Sequence, residues 1–256
     1  MLPFTADASA PGLAVACSIL DEPPRPGGTL LALKGERSVY REGSRVSRCL
    51  SGRSGGPFAA CIAYETGRPG AAELTVAQRD WLWCTDHLRL WSTICLPQLL
   101  LPFRTLIFHA SYIEHEGSGI LFTAPIGTGK STQAELWRVH RGARVLNGDK
   151  AGVTLREMPM AHGLPFAGTS KICENVSLPL RSIVVLSQAP VNSIRRLRPS
   201  EAAAALCSNL FADQVIPEEW SLALNLLLDL IAAVPVYALA CTPDERAVRT
   251  LEQTLN

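Results

Sequence analysis

The spacing of apolar positions changes several times along this chain, and each change predicts an element. From Thr29 to about Glu65, short apolar runs alternate with Gly/Ser/Arg clusters. Leu30–Leu33, Ser38–Arg41 and Phe58–Tyr64 read there as strands of a small meander, with Ser51–Pro57 as loop by composition. Val76 to about Leu101 carries Trp81, Trp83, Leu88, Trp91, Ile94 and Leu99, a pattern that predicts helix with a break near Pro97. Its tryptophans are expected to pack between this helix and the following domain rather than form a stacking platform. From Leu106 the pattern becomes strand–turn–strand–loop–helix. Leu106–Ile113 and Gly119–Thr123 are strands, and Lys130–His140 is a helix with Ala134, Trp137 and His140 on roughly one side. Further strands are expected at Ala143–Leu146, Ala151–Leu155, Ser182–Leu186 and Val236–Ala240. Helices are expected at Ser200–Asn209, Pro217–Val234 and Pro243–Leu255, the last with Thr242 as N-cap and Glu245 completing a capping box.

Residues 1–27 are rich in Pro, Ala and Gly and are expected to be loosely ordered. The chain has 256 residues, 47% of them apolar, which suits one medium-sized domain or a domain plus a small lobe. The expected division is a small α+β lobe over 1–100 and an α/β domain over 101–256. With a net charge of +1 and no basic stripe, the chain is not expected to bind nucleic acid. Arg195, Arg196 and Arg198 read as a solvated face.

The eight cysteines show no C-x-x-C pair and no zinc spacing, so buried free thiols in a reducing cytoplasm are expected. No signal peptide is evident. The most apolar stretch, Leu222–Val234, is interrupted by Asn225 and Asp229 and reads as a buried helix, not a membrane span. A cytoplasmic protein without a membrane partner is the expectation.

The chemistry concentrates at Gly119-Ile-Leu-Phe-Thr-Ala-Pro-Ile-Gly-Thr-Gly-Lys-Ser-Thr132. A phosphate-cradling loop between a strand and a helix needs backbone N–H groups aimed at one point, and Gly127 and Gly129 supply the dihedral freedom. The helix start adds unpaired N–H groups and the positive end of its dipole. Gly127, Thr128, Gly129, Lys130, Ser131 and Thr132 would bind the nucleotide. Lys130 would reach the β- and γ-phosphates, and the Ser131 hydroxyl would ligate Mg²⁺. The strict pattern wants Gly at 124, where this chain has Ala124.

The stretch from Thr105 to Thr132 resembles the HPr kinase/phosphorylase family, whose P-loop kinase fold is related to phosphoenolpyruvate carboxykinase. His109 at a strand end, Gly117 and Gly119 at the turn, the apolar strand and Gly127–Ser131 occupy matching places. Asp149, in Asn147-Gly148-Asp149-Lys150, matches the second residue of that family's Asp-Asp pair. The stretch Gly163-Leu-Pro-Phe-Ala-Gly-Thr-Ser170 is similar to a loop of HPr-kinase-like proteins. Ala124-Pro125-Ile126, Gly148 and Thr132 depart from the family's residues, and its arginine–glycine signature has no counterpart here.

The resemblance implies an α/β fold with a mixed central sheet and a P-loop, and ATP with Mg²⁺ as cofactors. It also implies oligomer formation, as in the resembled kinases. Lys130, Asp149 and His109 would be catalytic, with Ser131 and Asp149 at the metal. Lys150 and Lys171 are further phosphate-contact candidates. Two readings stand. One is an ATP-dependent kinase acting on a serine-type hydroxyl of a peptide, protein or small molecule. The other is a nucleotide-binding accessory module with little or no transfer activity.

Overall fold

The computed structural model describes residues 12–53, 57–86, 89–168 and 170–255. These divide into two compact units, one drawn from residues 12–103 and Asp213–Trp220, the other from Arg104–Ala212 and residues 221–255.

The first unit is built on a six-stranded sheet. Its strands are β1 (Ala14–Leu20), β2 (Thr29–Lys34), β3 (Arg37–Glu42), β4 (Arg45–Ser51), β5 (Phe58–Glu65) and β6 (Ala71–Ala77), in the spatial order β1-β6-β5-β4-β3-β2. β1 runs parallel to β6, and all other neighbours are antiparallel. The loose order expected over 1–27 fails at β1; residues 1–11 lie outside the described residues. β4 went unread because Arg48, a charged residue, is buried within it.

Helical turns follow at α1 (Trp81–Thr85), α2 (Leu90–Thr93) and α3 (Leu96–Leu100). They replace the expected helix with one break, and Cys95, at φ 47°, turns the chain between the last two. Trp81 and Trp83 pack against the buried cluster that includes Val46, Ile62 and Val76, in the core of this unit.

The free-thiol expectation also fails in part. Cys49 and Cys61 face each other directly across β4 and β5, with Cα atoms 4.1 Å apart, and form a disulfide. Register, not sequence spacing, creates that pair. Of the remaining cysteines, Cys84 is buried and Cys17 is exposed.

The second unit opens with β7 (Thr105–His115) and β8 (Ser118–Thr123), joined by Glu116 and Gly117, both at positive φ, as a tight hairpin with right-handed twist requires. There follow α4 (Lys130–Arg141), β9 (Arg144–Asn147), β10 (Lys150–Leu155), β11 (Pro159–Gly163), β12 (Ser177–Gln188), β13 (Ser193–Arg196), α5 (Pro199–Cys207), α6 (Pro217–Ala233), β14 (Val236–Cys241) and α7 (Glu245–Leu255). The sheet order is β11-β10-β7-β8-β12-β14-β13, with β9 also on β7. β8, β12 and β14 are parallel to one another and the flanking strands antiparallel, so this is the expected mixed sheet of an α/β unit.

Ala134 and Trp137 of α4 and Val248 and Leu251 of α7 pack with Phe122, Val184 and Leu239 of the central strands. The cap of α7 differs from expectation. Asp244 Oδ1 accepts the Arg246 N–H at 3.0 Å, whereas Thr242 is paired with Asn192. Among the described residues no helix is long and apolar enough to cross a membrane.

Candidate functional site

β8, β12 and β14 end on one edge of their sheet, the edge where open α/β sheets place ligands. At the end of β8 the chain turns through 124–129 and enters α4. Ala124, where the strict loop pattern wants glycine, is fully buried with its backbone outside the left-handed region, so its methyl fits. Gly127 and Gly129 have φ of 82° and 115°, values that exclude a side chain without strain. A Cβ on Gly127 would meet nothing within 4 Å, so conformation, not space, calls for glycine there.

No side chain caps the start of α4, and Ser131 and Thr132 are exposed on its first turn. Lys130 is buried, and its ammonium donates to the carbonyls of Ala124 at 2.8 Å and Pro125 at 3.3 Å. Burial lowers its pKa, while the charge of Asp149 pulls the other way.

Asp149 stands on the turn between β9 and β10. The buried Asn147 fixes that turn: its Oδ1 accepts the N–H groups of Asp149 and Lys150, both at 2.9 Å, and its Nδ2 donates to the carbonyls of Leu164 and Phe166. His109 comes from the middle of β7, in register with Lys150. Its Nδ1 lies 3.3 Å from Asp149 Oδ1, and Lys150 Nζ is paired with Asp149 Oδ2. The hydrogen bond from His109, opposed by burial and aided by Lys150, lowers the Asp149 pKa to about 2. Thr123, the last residue of β8, donates its hydroxyl to the His109 carbonyl at 3.0 Å, which ties this pair to the loop.

The structure thus brings together Lys130, Asp149 and His109. Among the described residues it makes no hydrogen bond between Ser131 and Asp149. Lys150, expected as a phosphate contact, pairs its ammonium with Asp149. Lys171 is exposed at φ 56°. The 164–168 segment packs on the Asp149 turn so closely that a Cβ on Gly168 would lie 2.8 Å from Asp149 Cβ. A Cβ on Gly148 would collide with Ser170.

Two contributors went unread in the sequence. Asn147 had a signal, since an Asn-Gly-Asp turn favours an asparagine that bonds the backbone two and three residues on. Gln133 had none. It is 2% exposed and lines a cavity of about 520 Å³ beside Gly127–Gly129, together with the ends of β12 and β14.

The model of a family described as SynChlorMet cassette protein ScmC matches residues 91–256, and the chain belongs to that family. No curated protein matches it. Among solved structures, the Hpr(Ser) kinase/phosphatase from Coxiella burnetii is 12% identical and covers 58% of this chain and 92% of its own, with a TM-score of 0.32. That is a distant structural similarity.

Proposed function

We propose that this ScmC-family protein binds a nucleoside triphosphate with Mg²⁺ on the loop 124–132 and transfers the terminal phosphoryl group to an acceptor hydroxyl. The observation that carries the reading is Lys130, a cation seated at an uncapped helix start behind two positive-φ glycines and within the field of Asp149.

The donors fit the metal. Ser131 and Asp149 offer hard oxygens, and Mg²⁺ needs only one or two protein ligands beside phosphate and water. Among the described residues no group of three or more His, Cys, Asp or Glu forms a self-sufficient metal cage, which such a site does not require. Mg-ATP would supply the phosphoryl group and neutralise its charge. Lys130 would exchange its loop carbonyls for phosphate oxygens. Asp149, anionic at neutral pH, would hold the metal directly or through water. With Nδ1 turned to Asp149, His109 would keep its lone pair on Nε2 and take the acceptor's proton there.

A second reading, a nucleotide-binding accessory without transfer, is favoured by Gly148. It leaves one carboxylate where the resembled kinases have two, and Ser170 stands against any side chain there. The family's description as a cassette protein suits such a role.

Nucleotide at about 100 times Kd should stabilise the protein by about 2.7 kcal/mol, a melting shift of roughly 5–10 °C. Lys130→Ala should abolish that shift. No shift with Mg-ATP, or the same shift in Lys130→Ala, ends the nucleotide reading. Asp149→Asn should keep most nucleotide affinity and lose transfer, read by mass spectrometry as loss of a one-phosphate mass gain on a co-expressed acceptor. Nucleotide binding without any phosphorylated acceptor selects the accessory reading.

A further inference from the structure

We propose that the cavity at the carboxyl ends of β12 and β14 holds the heterocyclic base of the nucleotide, and that Gln133 is the residue that reads it. This rests on the nucleotide reading above and names the other half of the same ligand.

The cavity of about 520 Å³ runs from Gly129 and Gln133 to Gln188 and Pro190 on one side and Thr242 and Pro243 on the other. That volume suits a small organic ligand. Gln133 belongs to the buried stripe of α4 formed by Lys130, Gln133, Ala134 and Trp137. Ala134 and Trp137 enter the apolar core, whereas Gln133 lines the cavity.

Its carboxamide Nε2 is enclosed at the cavity wall and has no hydrogen-bond partner among the described residues, so the amide must turn about its last side-chain bond to present that donor to an occupant. A buried donor without an acceptor is costly and calls for an explanation. Phosphate is a poor one. The backbone N–H of Gln133 already bonds the Gly129 carbonyl at 2.9 Å, so this residue lies past the free amides of the helix start. A neutral donor suits an uncharged ring with acceptor nitrogens or an exocyclic oxygen. Leu186, Pro190 and Pro243 offer the apolar surface that a flat ring needs. Gln188 ties the far wall to the loop by donating to the Thr128 carbonyl at 3.4 Å.

The test is calorimetric titration of the whole protein with Mg-ATP and with Mg-tripolyphosphate, in the unaltered protein and in Gln133→Met. The unaltered protein should bind ATP more tightly than tripolyphosphate. Gln133→Met should weaken ATP about tenfold, the worth of roughly one well-made hydrogen bond, and leave tripolyphosphate unchanged. Its ligand-free melting temperature should stay level or rise, because an unsatisfied donor is gone.

An undiminished ATP affinity in Gln133→Met, or an equal loss for both ligands, overturns the assignment. So does equal binding of ATP and tripolyphosphate by the unaltered protein, a comparison that needs no variant to fold. Those outcomes leave the phosphate loop standing. Failure of the unaltered protein to bind either ligand removes the nucleotide reading itself.

Discussion

Two clusters of paired charge, one in each unit, are built in opposite ways. In the first unit, Arg48 on β4 has a 6% exposed side chain and spends every guanidinium nitrogen on a partner. Nε donates to Tyr64 at 2.8 Å, Nη1 to Asp213 at 2.5 Å and Nη2 to Glu219 at 2.6 Å, while the Tyr64 hydroxyl donates to Glu219 at 2.6 Å. In the second unit, Lys130 has two backbone carbonyls as its partners among the described residues, and Asp149 leans on a histidine and a lysine whose side chains are 23% and 16% exposed. In the first cluster each guanidinium nitrogen already has a protein partner. In the second, on the function proposed above, phosphate and metal would displace the present partners. Paired charge alone therefore does not mark a site.

The largest effect should come from breaking the closed cluster. Arg48→Met leaves the buried Glu219 facing an apolar group, and removing one member of such a buried pair costs about 3–5 kcal/mol. Denaturant titration of the first unit should show that loss, with Mg-ATP affinity unchanged. A loss under about 1 kcal/mol, the worth of an exposed pair, would mean that the network is solvated and the comparison fails.

The contrast also explains what was legible in the chain. The hairpin of β7 and β8 and the helix α4 announce themselves by their apolar period and by Gly127 and Gly129, which mark the strand-to-helix turn. Arg48 could not be read as buried, because its partners lie 165 and 171 residues away and only folding brings them in. For the same reason the first residues of α6 read as plain helix, although Asp213–Trp220 belongs with the first unit. Gln133 is the converse case. A glutamine next to Ser-Thr in a helix start reads as solvent-facing, and only the sheet edge beside it encloses it. Local period carries the elements; long-range pairing carries the charges and the cavity.

The next effect sharpens the difference between a packed turn and an open site. Gly148 has no room for a side chain because Ser170 stands against it. Gly148→Ala should cost about 1–3 kcal/mol, as overpacking does. Adding Ser170→Gly should restore most of it, measured as a double-mutant cycle by thermal unfolding. Additive losses would show that the turn and Ser170 do not touch.

Smaller still, and opposite in sign between the clusters, is the response to pH. Hydrogen bonding to His109 leaves Asp149 with a pKa of about 2 in the folded protein. The ordinary aspartate value is near 3.9, so this carboxylate contributes stability above about pH 4 and loses it as pH falls toward 2. The amount is about 1–2 kcal/mol, and Asp149→Asn should flatten that acid limb. Burial lifts Glu219 above its usual range despite Arg48. Its contribution is full below the ordinary carboxylate range and declines as pH rises past it, so Glu219→Gln should flatten the upper limb instead. Titrations in which both variants lose the same limb would erase the distinction.

The smallest stability effect should belong to the residue with the largest functional one. Lys130→Ala removes a cation whose partners are two loop carbonyls, one on the exposed Pro125 that water can reach. Burial already disfavours the charged form. Truncation therefore relieves a desolvated ammonium while it frees two acceptors, and the net change in ligand-free stability should be under about 1 kcal/mol. Arg48→Met and Lys130→Ala then form a crossed pair: one loses stability and keeps the nucleotide, the other keeps stability and loses the nucleotide. Side-by-side melts with and without Mg-ATP read both arms. If Lys130→Ala unfolds as readily as Arg48→Met, its ammonium holds the loop together, and the second cluster is as structural as the first.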